Sequence, residues 1–149
     1  MTDLSQNKKK QKMLLIKKKD NIIQQFNSRV MKLLNIAINM YPKYNKLDRV
    51  KKAVSICRDM HPTFMIKKSS PSMLEYKEHI VLRDAEFFKT CPTETGISET
   101  DDDELVQELI GLIRDKFFNL SDAEKTTIWD YINDMLNYTI EYKLIMEQM

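Results

Sequence analysis

The chain has 149 residues, the length of one ordinary domain, and its 42% hydrophobic and 31% charged residues place it among globular rather than disordered proteins. Two glycines and four prolines exclude a turn-rich β architecture, because such folds need many residues that tolerate positive φ or end a strand. The net charge of +2 divides unevenly, since residues 1–90 carry 20 Lys and Arg against 8 Asp and Glu, whereas residues 91–149 carry 4 against 14.

Residues 1–12 are polar and rich in lysine, which is typical of a mobile arm or of the frayed start of a helix. We predict a flexible basic arm over residues 1–19. Its positive charges can neutralise phosphates through counterion release, which is a sequence-independent attraction. The same spacing is similar to a bipartite nuclear-targeting signal, and lysine-rich ends also serve solubility alone. If the arm contacts a nucleic acid or another polyanion, the candidate residues are Lys8, Lys9, Lys10, Lys12, Lys17, Lys18 and Lys19.

Two amphipathic helices follow the arm. From about residue 20 to Tyr41, apolar side chains recur at the spacing of one helix face, and Pro42 ends that helix. A second helix is predicted from Lys46 to Met60, before Pro62, with a basic outer surface. The apolar residues of the two helices are Phe26, Val30, Leu33, Leu34, Ala37, Ile38 and Tyr41, then Leu47, Val50, Val54 and Cys57.

The middle of the chain is less regular. Residues 61–71 read as a connector whose Phe64, Met65 and Ile66 enter the core. The pair Ser70-Pro71 is typical of a helix start, because serine caps and proline suits the first helical position. That helix is expected to break near Arg83 and Asp84. Residues 90–101 are rich in Thr, Glu and turn formers, so an internal boundary, if the chain has one, falls in this loop.

The acidic end predicts two more helices. Thr100 caps the first, whose opening carboxylates at 101–104 stabilise the positive end of the helix dipole. Ser121 and Glu124 have the spacing of a capping box, which opens a long terminal helix anchored by Trp129 and Ile132. With a short loop between them, the two helices are expected to pack as an antiparallel hairpin. The last turns are apolar on more than one face, so this helix either lies deep in the bundle or offers one face to a partner. For the second case the predicted partner interface is Tyr138, Tyr142, Ile145 and Met146.

The supply of catalytic and metal-binding residues is poor. Cys57 and His61 share a helix face, and His79 and Cys91 could complete a zinc set, but structural zinc sites use tight pairs from each side. No phosphate-cradling loop or nucleophile motif occurs. We therefore expect no catalytic residue, no metal and no cofactor. The two cysteines indicate a reduced intracellular protein, and no segment reaches the length of a membrane span.

The segment from Leu120 to Ile132, LSDAEKTTIWDYI, resembles the C-terminal helix of small uncharacterised proteins from nucleocytoplasmic large DNA viruses. In those proteins a short polar or acidic cap precedes a helix that contains Trp-x-Tyr. The resemblance extends over roughly 30 residues around this motif. It implies a viral origin and carries over no catalytic residue.

Taken together, the sequence predicts an all-α bundle of about five helices, with the helical domain at residues 20–149 behind the basic arm. The leading function hypothesis is a non-enzymatic interaction or structural protein, a viral component that acts through a protein partner or self-association. The alternative is a nucleic-acid-binding accessory protein that uses the lysine arm. We expect it in the host cytoplasm or nucleus, or in the virion.

Overall fold

The computed structural model describes residues 2–43, 45–90 and 114–149, and all of its regular structure in these ranges is helical, which confirms the all-α class. Residues 114–117 form one further helical turn before the last helix. The helices are α1 (Thr2–Met40), α2 (Lys46–Met60), α3 (Phe64–Glu75), α4 (Lys77–Val81), α5 (Ala85–Thr90) and α6 (Asp122–Gln148).

The predicted flexible arm is corrected by the structure, because α1 is one continuous helix from Thr2 to Met40. No proline or glycine lies between these residues, and Lys, Gln, Leu and Met all have good helix propensity. The helix therefore does not begin at residue 20. It ends where expected, with the backbone N–H of Tyr41 donating to the carbonyls of Ala37 and Ile38 just before Pro42.

The terminal helix α6 runs antiparallel to α1. Near its start, Lys116 Nζ donates to the carbonyl of Met40 at 2.6 Å. Midway, Arg29 Nε donates to Asp134 Oδ2 at 3.0 Å. Near its end, Tyr142 belongs to one buried cluster with Ile22 and Ile23, near the middle of α1. The predicted hairpin between the acidic helix and α6 stays a prediction, because that acidic helix lies outside the described ranges except for residues 114–117.

The pair α3–α4 also runs antiparallel to α6. Thr139 Oγ1 contacts Met73 Sδ at 3.8 Å, and Asn133 Nδ2 donates to the carbonyl of Ile80 at 3.2 Å. Because α2 returns alongside α1 after the turn at Pro42, the described helices α1, α2, α3–α4 and α6 alternate in direction. The result is an up-and-down bundle.

The central core lies where α1, α3 and α6 meet. Its buried members are Ile22, Ile23, Phe26, Ile66, Tyr142 and Ile145. Two polar residues, Asn27 and Thr139, are buried among the described residues. Asn27 Nδ2 donates to the carbonyl of Pro62 at 2.9 Å. That bond holds the turn between α2 and α3 against α1. The side-chain carbonyl oxygen of Asn27, Oδ1, has no hydrogen-bond partner among the described residues.

Two local expectations in the middle of the chain turn out differently. Pro71 does not begin a helix but lies inside α3, where the hydroxyl of Ser70 instead donates to the carbonyl of Ile66 at 2.6 Å. Phe64 is half exposed rather than part of the core, whereas Ile66 is fully buried. The break near Arg83 is confirmed, because Arg83 has a φ of 54° between α4 and α5.

We expect Phe26→Ala to lower the free energy of unfolding by about 3–5 kcal/mol, since Phe26 is 0% exposed and its removal leaves a cavity. Chemical denaturation followed by circular dichroism measures the change. The matched control is Phe64→Ala, at a site 48% exposed, which should cost under about 1 kcal/mol. Equal losses at the two positions would contradict the placement of the core.

Candidate functional site

The lysines predicted to contact polyanions all lie on the first half of α1. Every residue from Leu4 to Leu14 is exposed, and Leu15 is the first that packs against the core. This exposed stretch is about 15 Å long at 1.5 Å per residue. Of the seven lysines only Lys19 is half-buried. We call residues 4–19 the lysine helix.

The lysines do not form a single stripe along the lysine helix. At 3.6 residues per turn, Lys8, Lys12 and Lys19 lie on the side that faces the bundle farther along α1. Lys10 and Lys17 lie on the opposite side. Lys9 and Lys18 take the two flanks between these sides. Positive charge therefore surrounds the helix.

The apolar residues of the exposed stretch are scattered in the same way. Leu4, Met13 and Leu14 are each more than half exposed, and the helix period places them on three different sides. A helix that lies in a membrane surface needs its apolar side chains on one face. The lysine helix lacks that arrangement, so its surface suits phosphates better than a lipid interior.

The four residues of the predicted partner interface belong mostly to the core. Tyr142 and Ile145 are buried against α1 and α3, and Tyr138 packs partly against the same cluster. Burial also raises the pKa of the Tyr142 hydroxyl. Only Met146 is exposed. The first three residues therefore contribute mainly to the core of this chain, because α1 and α3 cover that face of α6, and a partner interface at the end of α6 stays a prediction.

An aromatic pocket, which the sequence did not predict, lies between α3, α4, α5 and the start of α6. The cavity measures about 330 Å³, within the range of small-ligand sites. Trp129 is buried in its wall, with ring centroids 5.9 Å from both Phe88 and Phe117. Further wall residues are Tyr76, Ile128 and Ile132. In the sequence, the adjacent aromatic pairs Phe87-Phe88 and Phe117-Phe118 are the features that could have indicated this site.

The candidate zinc ligands do not assemble. In the part of the chain that the structure describes, no group of three or more His, Cys, Asp or Glu residues could hold a metal ion. Cys57 is a half-buried thiol whose pKa is raised by burial. His79 instead stacks on Phe87, with ring centroids 3.6 Å apart. The fourth candidate, Cys91, and the acidic run at 101–104 lie outside the described residues.

Asp84 precedes α5 and contacts both members of the stacked pair His79 and Phe87. Its Oδ1 accepts the backbone N–H of Phe87 at 3.1 Å, and its Oδ2 lies 3.3 Å from His79 Nδ1. The bond from Phe87 contributes most and the contact with His79 next, and together they lower the pKa of Asp84. Because the folded pKa lies below the unfolded one, this carboxylate stabilises the fold above its ordinary pKa. The contribution disappears as the pH falls through the folded pKa.

We expect the carboxyl carbon of Asp84 to titrate in NMR with a midpoint below the ordinary value of about 3.9. His79→Gln should raise that midpoint only in part, because the backbone bond from Phe87 remains. Asp84→Asn keeps a capping side chain and removes the charge, so its stability should depend less on pH in the acidic range. An Asp84 midpoint at or above the ordinary value would contradict this geometry.

None of the helices in the described ranges is both long enough and apolar enough to cross a membrane. No protein-family model, curated protein or solved structure matches the chain. The resemblance of residues 120–132 to viral proteins therefore stays a hypothesis.

Proposed function

We propose that the protein binds nucleic acid electrostatically, through the lysine helix. The observation that carries this proposal is the exposed stretch from Leu4 to Leu14, which carries Lys8, Lys9, Lys10 and Lys12 on two opposite sides and one flank. Among the described residues, the ion pairs involve other cations, and none joins a carboxylate to these lysines. The exposure of Lys8, Lys9, Lys10 and Lys12 makes their ammonium groups accessible to an external anion.

The distribution of the lysines suits a groove better than a flat surface. The major groove of DNA is about 12 Å wide and has phosphates along both edges, and a helix with its side chains is about 10–12 Å across. A helix in that groove meets phosphates on two opposite sides. Lys8 and Lys12 would face one edge, and Lys10 would face the other. A helix on a flat anionic surface would use only one of these sides.

The residue types favour binding that is independent of base sequence. Lysine acts as a flexible point charge, whereas specific readout relies on the planar fork of arginine or on Asn and Gln at base edges. The lysine helix contains no arginine, and its seven lysines outnumber its three amide side chains, Gln6, Asn7 and Gln11. Contacts to phosphates fix position and supply affinity but carry little sequence information. We therefore expect similar affinity for duplexes of unrelated sequence.

A second candidate function is protein–protein interaction, and the aromatic pocket is the observation that favours it. Its wall is apolar and it is open to solvent, so an apolar side chain of a partner would gain free energy by entering it. Such a complex would not depend on the lysines. A complex that survives high salt and the neutralisation of the lysine helix would support this candidate over the first.

The test exchanges Lys8, Lys9, Lys10 and Lys12 for glutamine, which keeps helix propensity and removes four charges. Binding of the full-length chain to a short fluorescent DNA duplex is followed by anisotropy over a series of salt concentrations. We expect weaker binding, and a slope of log K against log salt that is shallower by up to about 3.6, since each lost phosphate contact removes about 0.9.

A matched control exchanges four other exposed lysines, Lys43, Lys46, Lys77 and Lys143, for glutamine. It changes the net charge equally and leaves α1 untouched. We expect the control to keep most of the salt slope of the wild type. Equal losses in the two variants would mean that net charge alone drives binding, and the proposal would fail.

A further inference from the structure

Helix α2 has two distinct faces. Leu47 and Val50 are buried towards α1, as the sequence pattern predicts. On the opposite face Ile56 and Met60, one helical turn apart, are 59% and 68% exposed. Ala53 lies on the same outer stripe. Among the described helices α2 packs against α1 and α3, and its outer stripe faces away from both.

The apolar outer stripe continues across the turn into α3. The turn occupies residues 61–63, and Phe64, the first residue of α3, is half exposed. We call Ile56, Met60 and Phe64 the corner patch. These side chains stand on the outside of a helix and at a helix start, so the surface that they form is convex. A convex surface does not offer the groove in which a partner helix is usually held.

Basic residues border the corner patch at both ends. Arg49 and Lys52 precede it on the outer face of α2, and Lys67 and Lys68 follow it on α3. All four are exposed. The nearby carboxylates are Asp48 and Asp59, and Arg58 Nε pairs with Asp59 Oδ1 at 3.1 Å. The nine charged residues from Lys46 to Lys68, seven basic and two acidic, therefore leave a clear positive excess.

We propose that the corner patch docks on an anionic lipid bilayer, with its apolar side chains in the interface and the lysines at the headgroups. Charge complementarity carries the choice, because anionic headgroups attract basic residues that border an apolar surface. Lysine also suits this place, since its long stem can lie on apolar surface while the ammonium stays in water. Protein hot spots instead favour Trp, Tyr and Arg, and Trp and Tyr do not occur from Lys46 to Glu75.

This proposal is independent of nucleic-acid binding, because it uses other residues. The lysine helix could nevertheless attract anionic vesicles without any insertion. The vesicle experiment is therefore performed on the full-length chain in two backgrounds, the wild type and the variant with glutamine at positions 8, 9, 10 and 12. Binding that persists in the second background is attributable to the rest of the surface.

The test variant is Ile56→Gln with Met60→Gln. This variant replaces two of the three apolar side chains of the corner patch and leaves every charge in place. Both sites are exposed, so the fold should persist. The control is Leu82→Gln with Leu144→Gln. Leu82 lies just after α4 and Leu144 lies on α6, and both side chains are exposed and apolar. Co-sedimentation is measured with vesicles of phosphatidylcholine alone and of phosphatidylcholine mixed with phosphatidylserine. Circular dichroism confirms that the variants are folded.

We expect binding to the mixed vesicles, little binding to phosphatidylcholine alone, and a loss of at least about tenfold in the test variant, corresponding to about 1.4 kcal/mol. The control should bind like its parent in both backgrounds. Unchanged binding in the test variant, or equal losses in test and control, would overturn the proposal. A second outcome would also overturn the proposal. If the protein binds polyglutamate and this binding depends on Ile56 and Met60, the corner patch recognises an acidic protein and not a bilayer.

Discussion

Among the described helices, the antiparallel packing of α1 on α6 determines which side chains are buried in the core and which remain exposed. Phe26 and its neighbours fill the space between these helices and α3, and Tyr142 and Ile145 are enclosed there. Apolar burial of this kind is the dominant favourable contribution to folding. Since the pairing begins only near Leu15, the earlier residues of α1 receive no cover from it. One packing interaction thus explains both the closed core and the exposed lysines.

Two ion pairs join the basic half of the chain to α6 in the acidic half. Arg29 pairs with Asp134 at 3.0 Å, and Arg83 pairs with Asp130 at 2.6 Å, so each bridge joins a basic-half residue to α6. The bond to Asp134 raises the pKa of Arg29. The Arg83–Asp130 pair is exposed, and such pairs contribute at most about 1 kcal/mol, whereas the Arg29–Asp134 pair is part-buried. These pairs orient the helices, and among the described residues no ion pair involves a lysine of α1.

The sequence predicted the helices with clear punctuation and misjudged those that depend on tertiary contacts. Pro42 and Pro62 bound α2 as expected, and Ser121 with Glu124 forms the predicted capping box. Pro71 carried the same local signal as a helix start, yet packing of Ile66 and Met73 on either side of it keeps α3 continuous. The surplus apolar face of α6 looked like an interface because periodicity reports which residues avoid water, not whether the same chain covers them. The aromatic pocket was missed because its walls come from segments far apart in sequence.

The position of Trp129 gives the protein a built-in optical reporter. It is the only tryptophan of the chain, and it touches Phe88 of α5 and Phe117 of the turn before α6. Its indole is shielded from water by elements that are not neighbours in sequence. Undocking of either aromatic neighbour would admit water to the ring and shift its emission to longer wavelength. Intrinsic fluorescence would therefore follow the opening of this end of the bundle, while circular dichroism follows the helices themselves.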